Sequence, residues 1–323
     1  TDPNYKDVLG ATVSINVLQA TPVVTWATPA DITYGTALGA TQLNASSPVA
    51  GTFEYTPVSG TILNAGNGQT LSVDFTSTDP NYKNVLGITV SINVLQATPL
   101  ITWATPADIT YGTALSATQL NASSPVAGTF AYTPVSGTIL NAGNGQTLSA
   151  DFTSTDPNYK NVLGITVSIN VLQATPLITW ATPADITYGT ALSATQLNAS
   201  SPVAGTFAYT PVSGTILNAG NGQTLSADFT STDPNYKNVL GATVSINVLQ
   251  ATPLITWAAP ADITYGTALS ATQLNASSSV AGTFAYTPAS GTVLNAGNGQ
   301  TLSADFTSTD PNYENMLGNT VSI

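Results

Sequence analysis

The motif Asp2-Pro3-Asn4-Tyr5 returns at Asp79, Asp156, Asp233 and Asp310, so the chain is written on a strict period of 77 residues. Residues 97–173 and 174–250 differ at a single place, Ile165 against Ala242. Neighbours of one sequence must share one fold, and a chain of such units works through length and number. The period divides the 323 residues into four domain-sized repeats, 20–96, 97–173, 174–250 and 251–323, behind a leading fragment, 1–19, that matches the last strand of a repeat. The fourth repeat stops at Ile323, before any counterpart of Asn247-Val248-Leu249-Gln250. Both ends therefore read as cuts through a longer array, an expectation that the gene or an intact mass tests.

Four lysines and no arginine face sixteen acidic residues, for a net charge of −12, which leaves no basic surface for nucleic acid or anionic membrane. Only 6% of residues are charged, and the polar remainder is Thr, Ser, Asn and Gln. Cysteine is absent, removing disulfides, thiolate nucleophiles and Cys-bound metals together. No apolar run approaches the roughly 18 residues of a membrane helix, so no membrane insertion is expected within this segment.

Within a repeat the apolar pattern has period two. Leu148, Ala150 and Phe152 alternate with Thr147, Ser149, Asp151 and Thr153. Val167, Ile169 and Val171 alternate with Thr166, Ser168 and Asn170, and Phe130 and Tyr132 with Thr129, Ala131 and Thr133. These are half-buried strands of an antiparallel sheet. Turn formers separate them, as in Ser124-Pro125-Val126-Ala127-Gly128, Asn141-Ala142-Gly143-Asn144-Gly145 and Thr155-Asp156-Pro157-Asn158-Tyr159. About seven short strands and no helical periodicity predict an all-β chain, a tandem array of immunoglobulin-like antiparallel β-sandwich domains. The expected core is Trp103, Phe130, Tyr132, Leu148, Phe152 and Ile169, with Trp103 alternatively sealing the joint to the preceding repeat. Gln173-Ala174-Thr175-Pro176 links two repeats without a glycine, which predicts a fairly rigid rod.

The stretches Ala-Thr-Pro-Leu-Ile-Thr-Trp-Ala-Thr-Pro-Ala-Asp-Ile-Thr-Tyr-Gly-Thr-Ala-Leu (97–115), Gly-Thr-Phe-Ala-Tyr-Thr-Pro (128–134) and Gln-Thr-Leu-Ser-Ala-Asp-Phe-Thr-Ser-Thr-Asp-Pro-Asn-Tyr (146–159) resemble the bacterial Ig-like repeats of very large secreted or surface proteins. The resemblance spans the whole chain. It implies an extracellular or cell-surface location and a role as spacer, stalk or fibre body, and it names no ligand.

Catalysis is poorly provided for. Without His, Cys or Arg the chain lacks the usual general base, thiol nucleophile and guanidinium clamp. Asp151 and Asp156 are near in sequence, but one sits on a polar strand face and the other opens a turn. No catalytic, cofactor-binding or metal-binding residue is assigned. The nearest approach to a cation site is Asp108 at the end of one repeat, placed to meet Asp233 or Asn235 of the next; the competing reading makes these turn residues bonded to their own backbone. Lys83, Lys160 and Lys237, replaced by Glu314 in the fourth repeat, are expected to be exposed and not part of an isopeptide crosslink. Asn44, Asn121, Asn198 and Asn275 match the N-glycosylation pattern. Tyr111 and Tyr159 are candidate sugar-stacking rings, with packing at the sandwich end as the competing role.

The residues point to a non-enzymatic extracellular structural protein, a stalk or the body of a fibre, whose partners are neighbouring repeats and other copies of itself. The alternative is a multivalent adhesin whose repeats bind cell-surface glycans or a partner protein.

Overall fold

The computed structural model describes residues 2–6, 10 and 12–323. The expected strand of the leading fragment falls partly on residues 1, 7–9 and 11, which lie outside the described residues; residues 12–19 form no strand. Two compact units divide the chain: Thr1–Ile109 with Thr113–Leu140 and Asn144–Asn170, and Val171–Ile323 with Thr110–Gly112 and Asn141–Gly143. The first repeat lies in one unit, the third and fourth in the other.

The first repeat forms β1 (Ile32–Thr33), β2 (Gly51–Thr56), β3 (Gly66–Ser77) and β4 (Val85–Leu95). The second forms β5 (Ile109–Thr110), β6 (Gly128–Thr133), β7 (Gly143–Ser154) and β8 (Val162–Leu172), and the third β9 (Ile186–Thr187), β10 (Gly205–Thr210), β11 (Gly220–Ser231) and β12 (Val239–Leu249). The chain is all-β, and these repeats share one sheet order, β1-β4-β3-β2 in the first. β2, β3 and β4 pair antiparallel, as the period-two pattern predicts, while the short β1 pairs parallel to the end of β4, Ile32 with Val94 and Thr33 with Leu95. Leu71, Val73 and Phe75 of β3 and Ile92 and Val94 of β4 are buried, each alternating with a more exposed neighbour.

The second layer of the sandwich is sparse. Its segments meet through isolated antiparallel bridges, Thr25 with Ser46 and Ala37 with Ile62, so the expected seven short strands resolve into four strands and these bridged pairs. Leu38, Leu43, Leu63 and Trp26, carried on those segments, close the core over Leu71, Ile92 and Val94. Closely spaced Pro, Gly, Asn and Ser let such segments bend back before they build a long ladder.

Of the expected core, Leu148, Phe152 and Ile169 are buried, whereas Trp103, Phe130 and Tyr132 are half-buried. The indole of Trp103 packs inside its own repeat, edge-on to Tyr132 at 5.4 Å, and its Nε1 donates to the Gln119 carbonyl at 2.9 Å. It does not seal the joint. Leu115 and Leu120, which interrupt turn-like sequence, are the buried residues that alternation missed. Gln119 is buried too, its Oε1 accepting from the Ser116 amide and hydroxyl, both at 3.1 Å.

The fourth repeat differs at one edge. Its ladders are β13 (Ile255–Thr256) with β14 (Ser277–Ser278), and β15 (Gly282–Thr287), β16 (Thr301–Ser308) and β17 (Met316–Ser322) in a three-stranded sheet. Ile263-Thr264, the counterpart of β1, belongs to no strand.

Gly128 begins β6 where a Cβ would lie 2.5 Å from the Phe152 ring and 2.5 Å from the Thr153 carbonyl oxygen. The ring stacks on that bare backbone. Gly128→Ala is expected to destabilise the second repeat by about 1–3 kcal/mol, the usual cost of overpacking, read as an earlier denaturant transition than in the parent chain.

Candidate functional site

Each Asp-Pro-Asn-Tyr turn is stiffened from within. Asp156 Oδ1 accepts the Asn158 amide at 2.9 Å, the Tyr159 amide donates to the Asp156 carbonyl at 3.1 Å, and the Asp156 amide donates to Ser154 Oγ at 3.1 Å. Such a turn, with proline fixing one φ, loses little entropy when it meets a partner surface.

The surface it meets is the end of the preceding repeat. Asn158 Oδ1 accepts the Ala65 amide at 2.7 Å, and Tyr159 packs edge-on against Tyr34 at 5.4 Å. The connecting segment is tied to the same turn: Gln96 Nε2 donates to the Pro157 carbonyl at 2.8 Å, and the Ala97 amide to the Asn158 carbonyl at 2.9 Å. Within the other unit the same joint recurs. Ala219 donates to Asn312 Oδ1 at 2.8 Å, Gln250 Nε2 to the Pro311 carbonyl at 2.8 Å, and Tyr188 meets Tyr313 at 5.5 Å. Neutral hydrogen bonds and an aromatic contact make this joint, so salt has little to screen.

Tyr159, a candidate sugar platform, is thus half-buried against a tyrosine of the preceding repeat, and Tyr111 makes the equivalent contact with Tyr236. The acidic candidates accept hydrogen bonds from within their own repeat. Asp151 Oδ1 accepts the Gly164 amide at 2.7 Å, a glycine with φ of +69°. Asp108 Oδ1 accepts Asn170 Nδ2 at 3.0 Å, and Asp233 Oδ1 accepts from the amide and side chain of Asn235, each at 2.9 Å. Among the described residues no three His, Cys, Asp or Glu gather as a cation would require. Lys83, Lys160 and Lys237 are exposed. Asn121 is exposed, with Nδ2 donating to the Thr118 carbonyl at 3.3 Å. Sequence reasoning missed the partnership of Asn158 with Ala65 and of Tyr34 with Tyr159. The signal available was the return of Asp-Pro-Asn-Tyr at every period.

Burial raises the phenols of Tyr132, Tyr209 and Tyr286 above the ordinary value.

No protein-family model and no curated protein matches the chain. Among solved structures it is similar to immunoglobulin domains 1–4 of Sidekick-1, at 9% identity over 94% of this chain and 98% of that one, with a TM-score of 0.22. It is similar also to the N-terminal four Ig domains of Dscam1 isoform 6.44, at 9% identity over 92% and 98% with a TM-score of 0.19. The insect immune protein hemolin is matched at 8% identity over 89% and 96%, with a TM-score of 0.21. Superpositions this loose carry no argument about function.

Two outcomes are expected. Asn158→Ala should speed hydrogen exchange of the Ala65 amide by roughly fivefold, the worth of a ~1 kcal/mol hydrogen bond, and leave the amides of β3 unchanged. The three raised tyrosines keep their protons in the folded chain at a pH where unfolded tyrosine, near 10, has begun to ionise, so the unfolded state binds fewer protons. Stability is therefore unaffected by these groups below about pH 10 and falls as pH rises beyond it. Denaturant midpoints measured against pH should show that fall, and Phe at the three positions should reduce it.

Proposed function

We propose that the chain is a non-enzymatic extracellular structural protein whose Ig-like repeats form a cell-surface stalk or the body of an extracellular fibre. The observation that carries this reading is the recurrent joint: the same turn, hydrogen bond and tyrosine pair connect repeats one and two in one unit and repeats three and four in the other. A joint that returns with the period makes length a matter of copy number. The absence of His, Cys and Arg from the whole sequence supports a non-enzymatic role. The bacterial resemblance of the motifs supports the location.

Electron microscopy of the native material tests the proposal. A filament or stalk whose axial repeat is one domain length, on the order of 35–40 Å for strands of 8–10 residues, or a small multiple of it, is the expected result. Specific glycan binding that strengthens with repeat number, on an array probed with the four-repeat chain, would instead make it a multivalent adhesin.

A further inference from the structure

In the first repeat, β3 carries one residue more than its partner strand at one point. Gly66 pairs with Val94 and Gln69 with Ile92, so Asn67 and Gly68 together face Asn93. A bulge of this kind leaves backbone without a ladder partner. Asn93 supplies one from its side chain, where Oδ1 accepts the Gly68 amide at 2.9 Å. The far end of that side chain is fixed by the segment before β1, since Asp31 Oδ1 accepts Asn93 Nδ2 at 3.0 Å. An ionised carboxylate only accepts, so Asp31 takes the amino group and turns the carbonyl end toward Gly68.

The clamp recurs with the period. Asp108 holds Asn170 at 3.0 Å and Asn170 holds the Gly145 amide at 2.9 Å; Asp185, Asn247 and Gly222 repeat it at 3.1 and 2.9 Å. In each case the held glycine follows an exposed asparagine, Asn67, Asn144 or Asn221. Gly68 has φ of +65°, so the bulge demands glycine and the Asn-Gly pair comes with it.

An asparagine before glycine is chemically labile, because no side chain obstructs the glycine nitrogen from reaching the asparagine Cγ. The nitrogen gives up its proton and bonds to Cγ, the bond from Cγ to the side-chain nitrogen breaks, and ammonia leaves with that proton. Water then opens the ring imide at one of its two carbonyls, giving aspartate or isoaspartate. The first step requires the glycine amide to release whatever it donates to. In the folded repeat that acceptor is Asn93, and Asp31 keeps it in place.

We propose that Asn67, Asn144 and Asn221 are deamidation sites and that the Asp31–Asn93 clamp, with its two counterparts, holds them shut. The site lies close to the joint. Ala65, whose amide bonds Asn158 of the next repeat, precedes Asn67 by two positions, as Ala219 precedes Asn221. Either product adds a negative charge there, and isoaspartate also lengthens the backbone by one methylene. The clamp therefore guards the connection between repeats as well as the bulge. This chemistry holds for a stalk, a fibre or an adhesin alike.

Incubation of the 323-residue chain at mildly alkaline pH, below its unfolding temperature, tests the clamp, with mass spectrometry of proteolytic peptides reading aspartate and isoaspartate at each site. A synthetic peptide of residues 62–72 sets the unclamped rate. Asn67 in the folded chain should deamidate on the order of tenfold more slowly than in that peptide. Asn93→Ala should speed the reaction at Asn67 about fivefold, the worth of one hydrogen bond, and leave Asn144 of the same molecule, with its own clamp intact, at the parent rate. Asp31→Ala, at an exposed position, should speed it by less. Hydrogen exchange of the β3 amides from Leu71 to Phe75 reports whether the strand stays folded; if Asn93→Ala loosens it, Asp31→Ala decides. A parent chain that deamidates at Asn67 as fast as the peptide, or a rate there that neither substitution moves, would overturn the proposal.

Discussion

The last strand of each repeat carries most of the structural burden. β4 pairs antiparallel with β3 along its length and parallel with β1 at its end, buries Ile92 and Val94 in the core, and leads through Gln96 into the joint with the next repeat. Core closure and inter-repeat geometry thus depend on the same few residues.

With so few charges, the chain relies on hydrogen bonds from short polar side chains to backbone. Asp151 holds the Gly164 amide, Asn170 reaches both Asp108 and the Gly145 amide, and Asp156 closes the turn that presents Asn158. Asp151, Asp156, Asn158 and Asn170 each accept from a backbone amide, which is the accounting any part-buried backbone demands. The carboxylates of Asp108, Asp151 and Asp156 are thereby engaged as hydrogen-bond acceptors within their own repeat.

Alternation in the sequence was enough to place Leu148, Phe152 and Ile169 on one buried face, because a strand's side chains must alternate whatever surrounds it. It was not enough for Leu115 and Leu120, whose segments carry no period and are buried only because they fold back over the sheet. The half-burial of Trp103 and Tyr132 was likewise hidden, since their exposure depends on how far the sparse second layer extends. The parallel pairing of β1 with β4 was also illegible: two residues cannot declare a direction, and their partner lies about sixty positions away.

By itself the sequence determined the period, the all-β character, the turns and the absence of His, Cys and Arg. These follow from composition and local pattern, which act within a few residues. Tertiary structure alone decided that Asn158 bonds Ala65 and that Tyr159 packs on Tyr34. Those features arise where one repeat's end meets another's turn, and contacts between segments so far apart in the chain leave no local signature to read.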